Sequence, residues 1–205
     1  MFFVKLFALL ASPFALLWAL IYAYRKLRIW AFLLLIGVLV FASVAAYKSY
    51  ERRFYLNHVP DALGVSSITY ELQESWGFGP GGNEAGILVY PLSGELSRQV
   101  EQGGVQFLQN MPRNQNQETR GWQGNYETWL ETPVANPQWK LNAKTGRLDV
   151  MDYICVYGFC IDVAPDVVKD ANEIVNSAGS YYAQGRIGII VVSPKKKKIL
   201  YFYNG

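Results

Sequence analysis

Cys155 and Cys160 are the two cysteines of the chain, and their spacing decides what chemistry they can do. A hairpin over residues 147–163 that turns at Tyr157-Gly158 would set Val156 beside Phe159 as the pair next to the turn. Cys155 would then face Cys160 in the following, non-hydrogen-bonded pair, where Cα atoms approach to about 4.5 Å. That separation admits a disulfide, and disulfides persist in oxidising compartments. Four residues separate the two thiols, so they are not a redox CxxC motif. A zinc site needs more ligands than one such pair and a remote histidine. The expectation is a structural bridge between Cys155 and Cys160.

The remaining chemistry-bearing residues do not assemble into a catalytic set. His58 is the one histidine; with no partner near it in sequence, it reads as an exposed linker residue, and no Ser-His-Asp or Cys-His set forms around it. The carboxylates Glu71 with Glu74, and Asp149 with Asp152, read as solvated faces. Gly77, Gly79 and Gly82 spell GxGxxG after a strand, but the dinucleotide fingerprint needs a helix opening at the last glycine. Pro80, Asn83 and Gly86 prevent that helix. Gly77, Gly79, Gly81 and Gly82 therefore read as a turning loop able to meet a partner. Lys144-Thr145-Gly146 and Ser193–Lys196 carry K-T-G and S-x-x-K spacings, but in reversed order and with the serine in a turn, which excludes a penicillin-recognising site.

Two recognition surfaces remain. Trp122, Trp129 and Trp139 lie in loop-rich sequence and form a candidate partner-binding face. Lys195, Lys196, Lys197 and Lys198 form a dense basic tip suited to acidic headgroups or a negative partner. Neither surface implies catalysis, a metal or a cofactor.

The elements that must hold these residues begin with the first 47 residues. Leu6–Tyr24 and Ile29–Tyr47 are two uncharged stretches of 19 residues each, separated by Arg25-Lys26-Leu27-Arg28. A bilayer core of about 30 Å needs about 20 apolar residues in helix, so residues 1–47 are expected to form a two-helix transmembrane hairpin, with helices near 6–24 and 29–47. Trp18, Tyr22, Tyr24, Trp30, Tyr47 and Tyr50 cluster where membrane interfaces would fall. The first run is longer than a signal-peptide h-region, and no small-x-small cleavage site follows it before Arg25. Three basic residues within four positions favour a cytoplasmic loop. That orientation places Lys48 onward outside the cytoplasm, in agreement with a disulfide.

Four of the 19 Lys and Arg and none of the 16 Asp and Glu lie in residues 1–47, which leaves the rest at 15 against 16, a formal −1. The overall +3 therefore belongs to the membrane segment. A near-neutral remainder lacks the basic footprint of a nucleic-acid binder.

Residues 48–64 read as a juxtamembrane stalk and 65–205 as one soluble domain. Alternation predicts a strand over Val65–Trp76, and runs rich in apolar residues predict strands over Gly86–Tyr90, Gly185–Val192 and Ile199–Tyr203. Helical spacing predicts a helix over Ser93–Asn110, capped by Ser93 and broken near Gly103-Gly104, and another opening at Pro165 and closing at Gly179. Residues 111–125 are polar and read as a mobile loop; an edge strand is expected within Tyr126–Val134. Strands in hairpin pairs predict an α+β fold: an antiparallel sheet with helices on one face.

The functional expectation is a multi-pass inner-membrane protein whose extracytoplasmic, periplasmic domain binds another membrane or envelope protein as an accessory or assembly component. Two alternatives are an anchored envelope hydrolase working through carboxylates, and a cytoplasmic-facing domain that lays its lysine tip on anionic lipid.

Overall fold

The computed structural model describes residues 14–15, 17–76, 84–136, 139–158 and 160–205. Two compact units divide at Arg52–Arg53.

Residues 17–26 are helical, and a break at 27–28 precedes α1, Ile29–Leu56, whose last four residues belong to the second unit. At 1.5 Å per residue, its 28 residues extend about 42 Å, longer than a bilayer core. Leu33, Leu34, Phe41 and Val44 stand exposed along it. Ser43 returns its hydroxyl to the Leu39 carbonyl at 2.8 Å, so its polar group needs no outside partner. α1 runs nine residues beyond the expected end at Tyr47 and takes in much of the stalk. The start of the helix expected before the break lies outside the described residues.

The second unit is α+β, built on a six-stranded antiparallel sheet: β1 Tyr70–Ser75, β2 Glu84–Pro91, β3 Trp129–Glu131, β4 Tyr181–Gln184, β5 Gly188–Ser193 and β6 Lys198–Asn204. Their spatial order is β1-β2-β6-β5-β4-β3. The β1–β2 and β5–β6 hairpins form as expected from sequence, and β3 is an edge strand. β6, last in the chain, sits between β2 and β5 in the middle of the sheet.

Helices cover both faces of this sheet, which corrects the expectation of one. Ile87, Val89, Ile189, Val191, Leu200 and Phe202 point into one core, against α4 (Val150–Ile154) and α5 (Pro165–Asn176). Leu88, Tyr90, Ile190, Val192, Ile199, Tyr201 and Tyr203 point into the other. That second core is closed by α2 (Gly94–Gln109), by Tyr55 at the end of α1 and by Leu63 in the 3-10 turn Asp61–Leu63. A strand wet on one side alternates apolar with polar residues; one covered on both sides reads as an unbroken apolar run. Ile-Ile-Val-Val in β5 and Ile-Leu-Tyr-Phe-Tyr in β6 are such runs.

The helix ends follow from sequence. Ser93 accepts a hydrogen bond from the Leu96 amide at 3.2 Å, and Gly104 leaves helical geometry at φ 55°. Pro165 occupies the first turn of α5.

The hairpin expected over 147–163 does not form. Asp149 caps α4 instead, its carboxylate accepting from the Met151 amide at 3.0 Å. Two asparagines one turn apart on α5 satisfy the backbone that a partner strand would have paired. Asn176 accepts from the Leu148 amide at 2.9 Å and donates to the Leu148 carbonyl at 2.9 Å. Asn172 accepts from the Val150 amide at 2.7 Å.

Candidate functional site

β6 places Tyr201 and Tyr203 on the α2 face of the sheet, because alternate residues of a strand share a face. Tyr203 has a glycine opposite it on both sides, Gly86 in β2 and Gly188 in β5. No side chain fits at either position. A Cβ on Gly86 would meet the Tyr203 ring at 2.6 Å, and one on Gly188 would meet the Phe202 carbonyl at 2.6 Å. The two glycines therefore make the room in which the tyrosine rings lie.

Above these rings the chain leaves α1 and turns through Asn57-His58-Val59. His58 is not the exposed linker residue its isolation suggested: it is 4% exposed. Its ring lies 4.4 Å from that of Tyr201, 5.6 Å from Trp122 and 5.3 Å from Phe54, centroid to centroid. Nδ1 donates to the Tyr55 carbonyl at 3.2 Å, and Nε2 faces the Gln123 side-chain amide at 3.4 Å. Burial pushes its pKa from 6.5 down to about 4; the Tyr55 carbonyl opposes that shift, and the nearby Arg120 charge adds to it. With both ring nitrogens engaged and the ring neutral, His58 is a wall and a brace rather than a general base. The company it keeps in sequence, Phe54, Tyr55, Leu56 and Val59, was the signal for its burial.

A buried arginine fixes this turn. The Arg120 side chain is 5% exposed. Its Nε and Nη2 donate to the Asn57 carbonyl at 3.0 and 2.8 Å, Nη2 also to the Val59 carbonyl at 2.6 Å, and Nη1 to Asp61. A cation on the carbonyls that follow the last turn of α1 suits the negative end of the helix dipole. Asp61 also accepts from the Gln115 amide at 2.8 Å, and Asn114 donates to the Gly124 carbonyl at 2.7 Å. Gly124 lies against the Asn57 carbonyl, where a Cβ would sit 2.7 Å away, and its φ of +67° suits glycine. The polar side chains that argue for a loose 111–125 segment are the ones that tie it to the turn. That segment also carries the short helix α3, Gln117–Arg120.

The result is a cavity of about 250 Å³. Phe54, His58, Trp122, Tyr201 and Tyr203 line it, with Gln73, Glu74 and Glu84 contributed from β1 and β2. Gln73 is held from two sides, accepting from the Tyr203 hydroxyl at 2.8 Å and donating to the Tyr55 hydroxyl. Tyr90 donates to the Tyr55 carbonyl at 2.7 Å. The Tyr201 hydroxyl is buried with no hydrogen-bond partner among the described residues. Burial, reinforced by neighbouring tyrosines, holds the Tyr201 pKa well above the ordinary phenol value.

The structure separates the residues singled out from sequence. Trp129 (2% exposed) and Trp139 (5%) are core residues on opposite faces of the sheet, so they cannot share a partner-binding surface. Trp139 also donates its indole N–H to the Asp149 carbonyl at 2.9 Å. Trp122 alone of the three is part of the cavity. Gly77, Gly79, Gly81 and Gly82 lie outside the described residues. Cys155 and Cys160 lie at disulfide distance, with Cα atoms 4.7 Å apart, across the turn that follows α4 rather than between two strands.

Lys195–Lys197 lie in the β5–β6 turn and Lys198 opens β6, but two of the four are engaged by α5. Lys196 meets Glu173 at 2.9 Å and Asp170 at 3.2 Å, and Lys198 meets Asp170 at 2.6 Å. Partial burial alone would raise the Asp170 pKa; hydrogen bonds from both lysines outweigh it and hold the carboxyl below its usual value. No family model, no curated protein and no solved structure matches the chain, so its functional reading rests on the long apolar helix α1 and this cavity.

Proposed function

We propose that the chain is a membrane-anchored recognition component: a two-helix transmembrane hairpin whose soluble α+β domain stands outside the cytoplasm and engages another membrane or envelope protein in an accessory or assembly role. The observation that carries this reading is α1, long enough to cross a bilayer and with none of its most apolar stretch buried. An uncovered apolar surface of that length needs lipid or protein around it. The helical residues 17–26 and the basic cluster at 25–28 support a second pass with a cytoplasmic turn. Cys155 and Cys160 at bonding distance support an oxidising compartment for the domain. The cytoplasmic, lipid-binding alternative draws less support, because Asp170 and Glu173 already occupy two of the four tip lysines.

Alkaline carbonate extraction tests the anchor. The full chain is expected to stay in the membrane pellet and to leave it only with detergent. Release by carbonate alone would contradict a transmembrane anchor.

A further inference from the structure

We propose that the cavity between Phe54, Trp122 and the β6 tyrosines binds a small organic cation, an alkyl-ammonium group carried by a small molecule. Three observations converge on that chemistry. The walls are aromatic: Phe54, Trp122, Tyr201 and Tyr203 surround one space of about 250 Å³. Aromatic rings attract a cation through their electron-rich faces, and cages of such rings are the usual hosts of quaternary ammonium groups. The charge on the lining is of one sign, from Glu74 and Glu84, with no lysine or arginine among the described residues that line it. Arg120, whose charge reaches His58, turns its guanidinium to the Asn57 and Val59 carbonyls and to Asp61. Tyr201, one of the lining tyrosines, has a buried hydroxyl with no hydrogen-bond partner among the described residues, so one donor and one acceptor of that residue are unspent.

His58 fits the same reading. A protonated imidazole among these rings would compete with a cationic guest, and burial keeps this one neutral at ordinary pH. An anion would meet the two carboxylates as like charges, and a cation meets them as opposite ones. The proposal concerns the domain's ligand and not its location: it is read on solubilised protein, so its failure and the failure of the membrane assignment are separate results.

The test titrates the full chain, purified in a non-ionic detergent, with choline and with benzylammonium. The control ligand is 3,3-dimethylbutan-1-ol, the uncharged carbon isostere of choline. Calorimetry or ligand-observed NMR reads binding. Choline is expected to saturate one site and to bind at least ~10-fold tighter than its isostere, the factor that a desolvated cation–aromatic contact supplies. Trp122→Ala, and separately Glu74→Gln with Glu84→Gln, should weaken choline by about 10-fold. The double glutamine variant should leave the isostere unchanged. These positions are at least partly exposed, and an unaltered circular dichroism spectrum shows that each variant is folded. Equal affinity for choline and the isostere would overturn the proposal. So would the lack of saturable binding by either cation below roughly 10 mM, or binding untouched by both folded variants.

Discussion

Arg120→Ala is expected to cost about 3 kcal/mol of stability, because it removes the donor of the Asn57 and Val59 carbonyls together. The guanidinium is the partner of the Asn57 and Val59 carbonyls and of Asp61. Truncation leaves the two carbonyls without this donor, while Asp61, 43% exposed, keeps its bond from the Gln115 amide and its access to water. The price is that of unpaired buried polar groups rather than of one surface ion pair, which would be worth a few tenths to 1 kcal/mol. Arg120→Lys should recover only part of the loss, since an ammonium cannot reproduce the fork that reaches two carbonyls and a carboxylate together. Denaturant unfolding of the detergent-solubilised full chain checks both variants. A loss below about 1 kcal/mol for Arg120→Ala would show that the turn holding His58 does not depend on this clamp.

The second large effect is a pH dependence carried by His58. Its folded pKa is about 4 against 6.5 unfolded. Between those values the unfolded chain binds the proton and the folded one does not, so stability falls as pH falls through this window. The loss between pH 7 and pH 5 comes to about 2 kcal/mol for one group with this shift. His58→Gln removes the titrating ring and should flatten that portion of the profile while the carboxylate-driven loss at lower pH remains. The measurement is unfolding free energy at pH 7, 6 and 5 for both proteins. Identical slopes would mean that the imidazole is solvated in the folded chain.

Much of the fold was legible because local rules and tertiary context agree. The Ser93 cap, the Gly103-Gly104 break and Pro165 mark the two long domain helices, and the two hairpins follow from the alternation of β1 and the apolar runs of β2, β5 and β6. The failures have physical causes. Leu148, Val150 and Ile154 suit a strand by their apolar character, yet Val150 and Ile154 also share a helix face at i and i+4. Asp149 as a cap, with Asn172 and Asn176 as backbone mimics, decides for helix. β4 is four residues long, too short for a periodic signal. The second covered face was written in the unbroken apolar runs of β5 and β6, which differ from the alternating β1.

The site was less legible than the fold. Its residues come from the end of α1, from β1 and β2, from the segment after α3 and from β6, and no sequence motif spans them. Trp122, Trp129 and Trp139 look alike in sequence; burial alone separates the one in the cavity from the two in the cores. Glycines at 86 and 188 carry information only once register shows them flanking Tyr203.

The central claim is that an anchored domain stands outside the cytoplasm, and thiol labelling tests it most directly. Cys155 and Cys160 are the chain's two cysteines, so every labelled thiol reports on the domain. Intact cells, with any outer barrier opened, are treated with a membrane-impermeant maleimide before and after a membrane-impermeant reductant. The account predicts no labelling at first and labelling of both cysteines once the reductant is added, with the inner membrane still sealed. Thiols reached only after lysis, and reactive there without reductant, would place the domain in the cytoplasm and contradict the account.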